Sequence, residues 1–371
     1  MVACTSSGTV AYSHFCMTAP YPAGHALPAA GRGRFLLPWS VMTVNDRWPR
    51  ARLHVVTGKG GTGKTTVAAA LALALAGGGR RTLLVEVEER QGIAQLFDAP
   101  PLPYEERRIA VAPGGGEVRA LAVDAEEALL DYLQSFYNLR QAGRALRRMG
   151  AVDFATTVAP GMRDVLLTGK VKEAVTRTEH GHRVYDAVVL DAPPTGRVTR
   201  FLNVAAEVVG LARLGPVRSQ SEGVMAVLRS AQTAVHLVTL LEEMPVQETV
   251  DTVEELHRTG LPVGAVIVNM TRAPLLPQPE LVAAAGGNVD LPALAEGLSA
   301  AGLDGAALAG TLAAEAVEHA QRWALEDRNR AVLAELGLPT YELPFLAGPV
   351  DLGGLYELAD LMRDYGVRSA P

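Results

Sequence analysis

The run Gly58-Lys59-Gly60-Gly61-Thr62-Gly63-Lys64-Thr65 constrains this chain more than any other feature. It sits between a β-branched segment, Leu53–Thr57, and a strong helix former, Thr66–Ala76. A strand, a glycine-rich loop and a helix in that order make the phosphate-binding unit of parallel α/β folds. Glycines at 58, 60, 61 and 63 let successive backbone N–H groups converge on phosphate without Cβ clashes, and the helix adds its positive N-terminal end. From Gly58 to Thr66 the loop is expected to line a nucleotide pocket. Lys64 would meet the β- and γ-phosphates of a nucleotide, and Thr65 a Mg²⁺ ion held with them.

The rest of the chain reads as the sheet such a loop needs. Short β-branched runs recur at Leu53–Thr57, Thr82–Val87, Val118–Val123, Val184–Leu190, Val235–Leu241, Val263–Val268 and Thr340–Leu343, separated by helical patterns. The expected fold class is α/β, a parallel-sheet P-loop domain spanning 51–371 with an inserted helical subdomain. Helical insertions are expected at about 124–183, 200–232 and 271–336. The first is longer than an ordinary crossover. The first two are expected to pack together on one edge of the sheet. Residues 1–50, rich in Gly, Pro, Ala and Ser, read as a disordered tail in which Met42 is a second possible start.

Composition narrows the function. A formal net charge of -6 argues against broad attraction to nucleic acid or anionic lipid. The two cysteines, Cys4 and Cys16, both lie in the tail, which leaves the body of the chain without thiols and suits a cytoplasmic protein. The most apolar run, Val67–Ala76, is too short to span a membrane, and no signal peptide is legible. Only four of the 34 basic residues are lysine: Lys59, Lys64, Lys170 and Lys172. Two of these share the glycine-rich loop, where a compact ammonium enters a crowded phosphate site that a planar guanidinium cannot.

Lys59 sets this loop apart from an ordinary Walker A sequence. Gly-Lys-Gly-Gly-Thr-Gly-Lys-Thr-Thr resembles the deviant Walker A of the nitrogenase iron protein, MinD, ParA and ArsA group. That resemblance implies a nucleotide-sandwich dimer in which Lys59 reaches the partner's phosphates. Val184-Tyr-Asp-Ala-Val-Val-Leu-Asp191 is a buried strand ending in an acid, the pattern that places a carboxylate beside Mg²⁺ at the C-terminal edge of a sheet. The following Ala-Pro-Pro-Thr-Gly-Arg-Val-Thr-Arg-Phe-Leu is similar to the switch II loop of the ArsA and tail-anchored-protein-targeting ATPases. In the same branch a switch I acid positions the attacking water. Matching strand ends puts Glu88 there, with Glu89 in place of the customary proline; the other reading is that Glu86, Glu88 and Glu89 form a solvated charge cluster. Asn269 at the end of Val266–Asn269, and Pro344 and Phe345 in Leu343–Leu346, resemble the branch's adenine pocket, although an Asn at a strand end is also a common turn residue.

The resemblance covers Arg52 to about Leu361 and is closest to the ArsA-like ATPases of actinobacteria. It implies ATP hydrolysis, Mg²⁺, catalytic roles for Lys59, Lys64, Glu88 and Asp191, and a protein or membrane-associated client. It leaves open whether the dimer is a homodimer or a heterodimer with a related ATPase, and whether ATP is turned over or acts mainly as a structural ligand. The chain departs from its relatives at the thiols. No cysteine follows Cys16, so neither an arsenite site nor a zinc-pinned dimer is expected. Leu129, Leu130, Leu133, Phe136 and Tyr137 cluster at helical spacing, as core or as a groove for a client helix. Lys170 and Lys172 would face solvent or a partner.

Overall fold

The computed structural model describes residues 50–88, 90–137, 161–211 and 216–368. Its strands are β1 Leu53–Gly58, β2 Arg81–Glu86, β3 Arg107–Val111, β4 Glu117–Ala122, β5 Thr178–Glu179, β6 His182–Arg183, β7 Ala187–Asp191, β8 Thr233–Thr239, β9 Val263–Thr271 and β10 Thr340–Pro344. Its described helices begin with α1 Lys64–Ala76, α2 Gly92–Leu96, α3 Ala125–Tyr137, α4 Met162–Thr176 and α5 Thr195–Leu211. They continue with α6 Pro216–Leu228, α7 Glu243–Thr259, α8 Gln278–Ala285, α9 Leu291–Ala300, α10 Gly305–Glu335 and α11 Leu352–Asp364.

Eight strands form one sheet in the order β10-β9-β8-β1-β7-β2-β4-β3. Every pairing is parallel except β3 on β4, an antiparallel edge that the strand reading did not contain. Residues of β5 and β6 add a small separate hairpin. Because side chains alternate across a strand, both faces of the central strands are apolar. Leu53 and Val55 of β1, Leu83 and Val85 of β2, and Val188 and Leu190 of β7 join one core. Val56, Leu84 and Val189, their neighbours in sequence, join the other. Each such buried aliphatic contributes about 1.5–3 kcal/mol of transfer free energy.

Helices α1 and α11 cover the second core. All of Val67–Ala76 is buried, which explains why this helix is apolar all round. No helix among the described residues is long and apolar enough to cross a membrane. The first core lies under α3, α4, α5 and α6. The helical blocks on either side of β7 thus cover a face of the sheet, where an edge position was expected. The reason is that Leu53, Leu83 and Val188 present an apolar surface that only a layer of helices can bury. Leu129 and Leu130 belong to this core; the side chains of Leu133, Phe136 and Tyr137 lie outside the described residues, as do Glu89 and the tail up to residue 49. Helices α8, α9 and α10 form the third excursion, between β9 and β10.

Candidate functional site

The loop after β1 emerges at the C-terminal edge of the sheet, between the ends of its neighbours β7 and β8. Helix α1, which follows β1, packs on one face of the sheet and α5, which follows β7, on the other, and such a switch point is where doubly wound sheets bind ligands. At Gly58 any side chain would strike the carbonyl of Val238. Gly63 has φ 86, and a Cβ there would drive into the Asn269 amide. The turn is closed by Thr62, whose Oγ1 donates to the Lys59 carbonyl at 2.9 Å. Helix α1 then starts with no side-chain cap and no acidic residue in its first turn. Its positive end therefore points into the loop with no acidic residue of its own first turn to offset it.

Thr65, in that first turn, donates from Oγ1 to Oδ2 of Asp191 at 2.7 Å. Parallel pairing puts Asp191, the last residue of β7, level with Val56 of β1 and Glu86 of β2. Oδ1 of Asp191 is buried and has no hydrogen-bond partner. Burial pushes the Asp191 carboxyl up to about 6, against the Thr65 hydrogen bond and the Lys64 charge, which lower it. Lys64 is placed beside this pair. Burial lowers its ammonium pKa, while Asp191 and Glu88 raise it. Its Nζ lies 3.5 Å from the Lys59 carbonyl.

Lys59 makes a 2.6 Å ion pair with Glu248 in the first half of α7. The other oxygen of Glu248 accepts from Thr195 Oγ1 at 2.9 Å, and its carboxyl pKa is lowered chiefly by the Lys59 hydrogen bond. Thr57 Oγ1 donates to the Pro193 carbonyl at 2.7 Å. The glycine-rich loop and the loop after Asp191 are thus stitched together twice. Glu248 was missed because no local pattern marks it; only the fold brings it to Thr195, 53 residues earlier.

Glu88 lies close to Arg197 (3.7 Å) and Arg90 (3.8 Å), distances of charge attraction rather than hydrogen bonding. Glu86 is not part of a solvated cluster. It is 3% exposed and accepts the backbone N–H groups of Gly92 and Ile93 at the start of α2.

Asn269 is buried and donates its amide to the Thr62 carbonyl at 2.9 Å, so its N–H holds the phosphate loop. Pro344 pairs with Thr271 at the end of β10, and the half-exposed Phe345 ring carries the Arg272 guanidinium at 4.7 Å. Lys170, read as facing solvent or a partner, bonds to the half-exposed Asp131 at 3.3 Å and lies over the Tyr104 ring.

A mainly parallel sheet with a glycine-rich loop before its first helix, and an acid ending the strand beside it, defines the P-loop nucleoside-triphosphatase class. The sequence pattern of the anion-transporting ATPase family matches residues 51–228. ATPase BagA of Mycobacterium tuberculosis is 56% identical over 328 residues, covering 86% of this chain and 96% of that protein. A putative ATPase of Mycobacterium bovis matches equally well. An arsenical pump-driving ATPase of Acidiphilium multivorum is 26% identical over 237 residues, 57% of this chain and 38% of that protein. The chain belongs to the ArsA family of anion-transporting ATPases. That membership supports nucleotide binding and ATPase function.

Proposed function

We propose that the chain binds MgATP on the Gly58–Thr66 loop and hydrolyses it, working as a nucleotide-sandwich dimer that handles a protein or membrane-associated partner in the cytoplasm. The observation that carries this reading is the Thr65–Asp191 pair at the start of an uncapped helix. A hydroxyl and a carboxylate with one unpartnered buried oxygen are hard donors of the kind Mg²⁺ takes when phosphate and water complete its shell. The residues therefore fit the ion. Bound Mg²⁺ supplies positive charge against the triphosphate. The backbone N–H groups of the loop and Lys64 would cradle the β- and γ-phosphates, so that catalysis rests on positioning and electrostatics. Asn269, Pro344 and Phe345 would border the base. No thiol occurs among the described residues, so we infer neither an arsenite nor a zinc site.

Glu88 is proposed to orient the attacking water and Lys59 to act on the phosphates of a partner subunit, which is either a second copy or a related ATPase. A second reading, in which ATP is held as a structural ligand and turned over very slowly, is favoured by one observation: the two ion-pair partners of the Glu88 carboxylate among the described residues are both arginines. Steady-state phosphate release separates the two. Glu88→Gln should slow turnover at least about tenfold and leave ATP binding nearly intact. Release from the unsubstituted chain no faster than from Lys64→Ala would favour the structural-ligand reading.

A further inference from the structure

The excursion between β9 and β10 differs in chemistry from the rest of the chain. Lysine and arginine make up 34 of 371 residues, about one in eleven, yet none occurs in the 49 positions 273–321. The same stretch carries six carboxylates: Glu280, Asp290, Glu296, Asp304, Glu315 and Glu318. Its charge equals the formal -6 of the whole chain. Asp290 and Asp304 have a local task, since they cap α9 and α10 by accepting from Ala293 and Ala307. The four glutamates have no lysine or arginine in the stretch to offset them; its histidine, His319, accepts from the Leu275 N–H at 3.1 Å.

Alongside this charge lies unusual apolar exposure. Of the thirteen large hydrophobic side chains exposed among the described residues, six fall between Leu275 and Leu312. Leu275 is 82% exposed and Val282 64%. None of the residues of α9 is buried. The packing explains why. Small residues of α10, Gly305, Ala309 and Ala313, form a buried stripe at four-residue spacing, and at Gly305 a Cβ would strike the Ala295 carbonyl of α9. That close approach is satisfied by alanine and glycine, so Leu308 and Leu312, one turn apart, stay exposed with Glu315 next along the same face. The arm is nonetheless firmly based. Asn329 donates to the Leu241 carbonyl at 3.0 Å, Arg330 pairs with Glu342 at 2.8 Å, and Leu333 is buried against Val266 and Val268.

We infer that this arm is a docking surface for a partner protein presenting a basic, leucine-rich amphipathic helix. Leucines on the arm would take the apolar face of that helix, and the carboxylates would meet its lysines or arginines at the rim. Charge selects this occupant over the two others. A second copy would set two acidic arms against each other, and an anionic membrane surface would repel the arm. The inference does not depend on the nucleotide site, and its test needs no nucleotide.

The experiment titrates the full chain, without ATP, into a fluorescently labelled synthetic helix of alternating Leu and Lys faces. Companion peptides carry Glu for Lys or Ser for Leu. Expected is binding of the first peptide alone, weakening as salt rises. Leu308→Ser/Leu312→Ser, and separately the quadruple Glu280→Gln/Glu296→Gln/Glu315→Gln/Glu318→Gln, should each weaken it about tenfold or more, with unchanged melting temperature. Removing as many carboxylates elsewhere, with Glu105→Gln, Glu179→Gln, Glu255→Gln and Glu357→Gln, should leave binding within about twofold. Equal weakening by that control set, or full binding by both arm variants, would overturn the inference. So would concentration-dependent self-association, or binding to anionic phosphatidylserine vesicles, that is lost in the leucine variant.

Discussion

Two glycines in the phosphate loop offer a graded test of its geometry, because alanine meets different surroundings at each. At Gly60 an added Cβ has nothing within 4 Å, and the backbone is not in the left-handed region. At Gly63 φ is 86, which costs an L-residue about 1–2 kcal/mol. Its Cβ would also displace the Asn269 amide from the Thr62 carbonyl, leaving buried polar groups unpaired at a further cost of about 1–3 kcal/mol. Gly63→Ala is therefore expected to destabilise the nucleotide-free protein by about 2–5 kcal/mol, and Gly60→Ala by less than about 0.5 kcal/mol. Urea denaturation of the purified chains, followed by far-UV circular dichroism, measures both. Asn269→Ala combined with Gly63→Ala should cost less than the two single changes added together, since the collision is then removed. If Gly63→Ala matches Gly60→Ala in midpoint and slope, the close packing of this loop on Asn269 is wrong.

Asp191→Asn should raise stability without nucleotide near neutral pH by roughly 1–3 kcal/mol, because it removes a carboxylate whose ionisation burial opposes; Mg²⁺-dependent ATP binding should be lost in the same variant, and a parallel loss of stability would contradict the reading. The buried pair His54 and His236, stacked at 5.4 Å with Nδ1 and Nε2 3.1 Å apart, predicts acid sensitivity. Burial lowers His54 from 6.5 to about 4 and His236 well below its ordinary value, so the unfolded chain binds more protons across that interval. Their contribution is fully present above about pH 6.5 and is lost as pH falls towards 4, by about 3 kcal/mol for His54 alone. Comparing denaturation of the natural chain with His54→Val/His236→Leu from pH 7.5 to 5 isolates this from Asp191, whose raised pKa acts in the opposite direction; parallel pH profiles would refute it. Glu248→Gln releases Lys59 from a surface ion pair worth up to about 1 kcal/mol. If Lys59 must swing to a partner, phosphate release at limiting protein concentration should rise by up to about fivefold, whereas slower release would show that Glu248 supports the active arrangement.

The parts of the site that were legible in the sequence are those in which chemistry and local structure share one contiguous run. Gly58–Thr65 carries both its turn and the backbone N–H groups proposed to meet phosphate, and Asp191 announces itself as the acid that ends an apolar strand. Edge strand β3 was missed because Arg107, Arg108 and Val111 are exposed and Ile109 only half-buried, so no apolar alternation marks it. Contacts made by tertiary folding were illegible for a different reason. Asn269 meets Thr62 across 207 residues, and nothing near either position signals the other. Glu248 is an ordinary helical glutamate until the fold sets it beside Lys59. Glu86 and Glu88 look alike in sequence, yet parallel pairing with Asp191 buries Glu86, while Glu88, beyond the strand end, reaches the arginines.

The central claim, that this loop holds MgATP for hydrolysis, is tested most directly by calorimetric titration of ATP into the purified chain in excess Mg²⁺, run beside Lys64→Ala and paired with phosphate release. Lys64 is half-buried where the loop enters α1, with Asp191 and Glu88 the carboxylates that favour its charge. The account predicts a saturable Mg²⁺-dependent site in the natural chain, phosphate release from it, and loss of both in Lys64→Ala while the fold is retained. Unchanged ATP affinity in Lys64→Ala at physiological Mg²⁺ would contradict it.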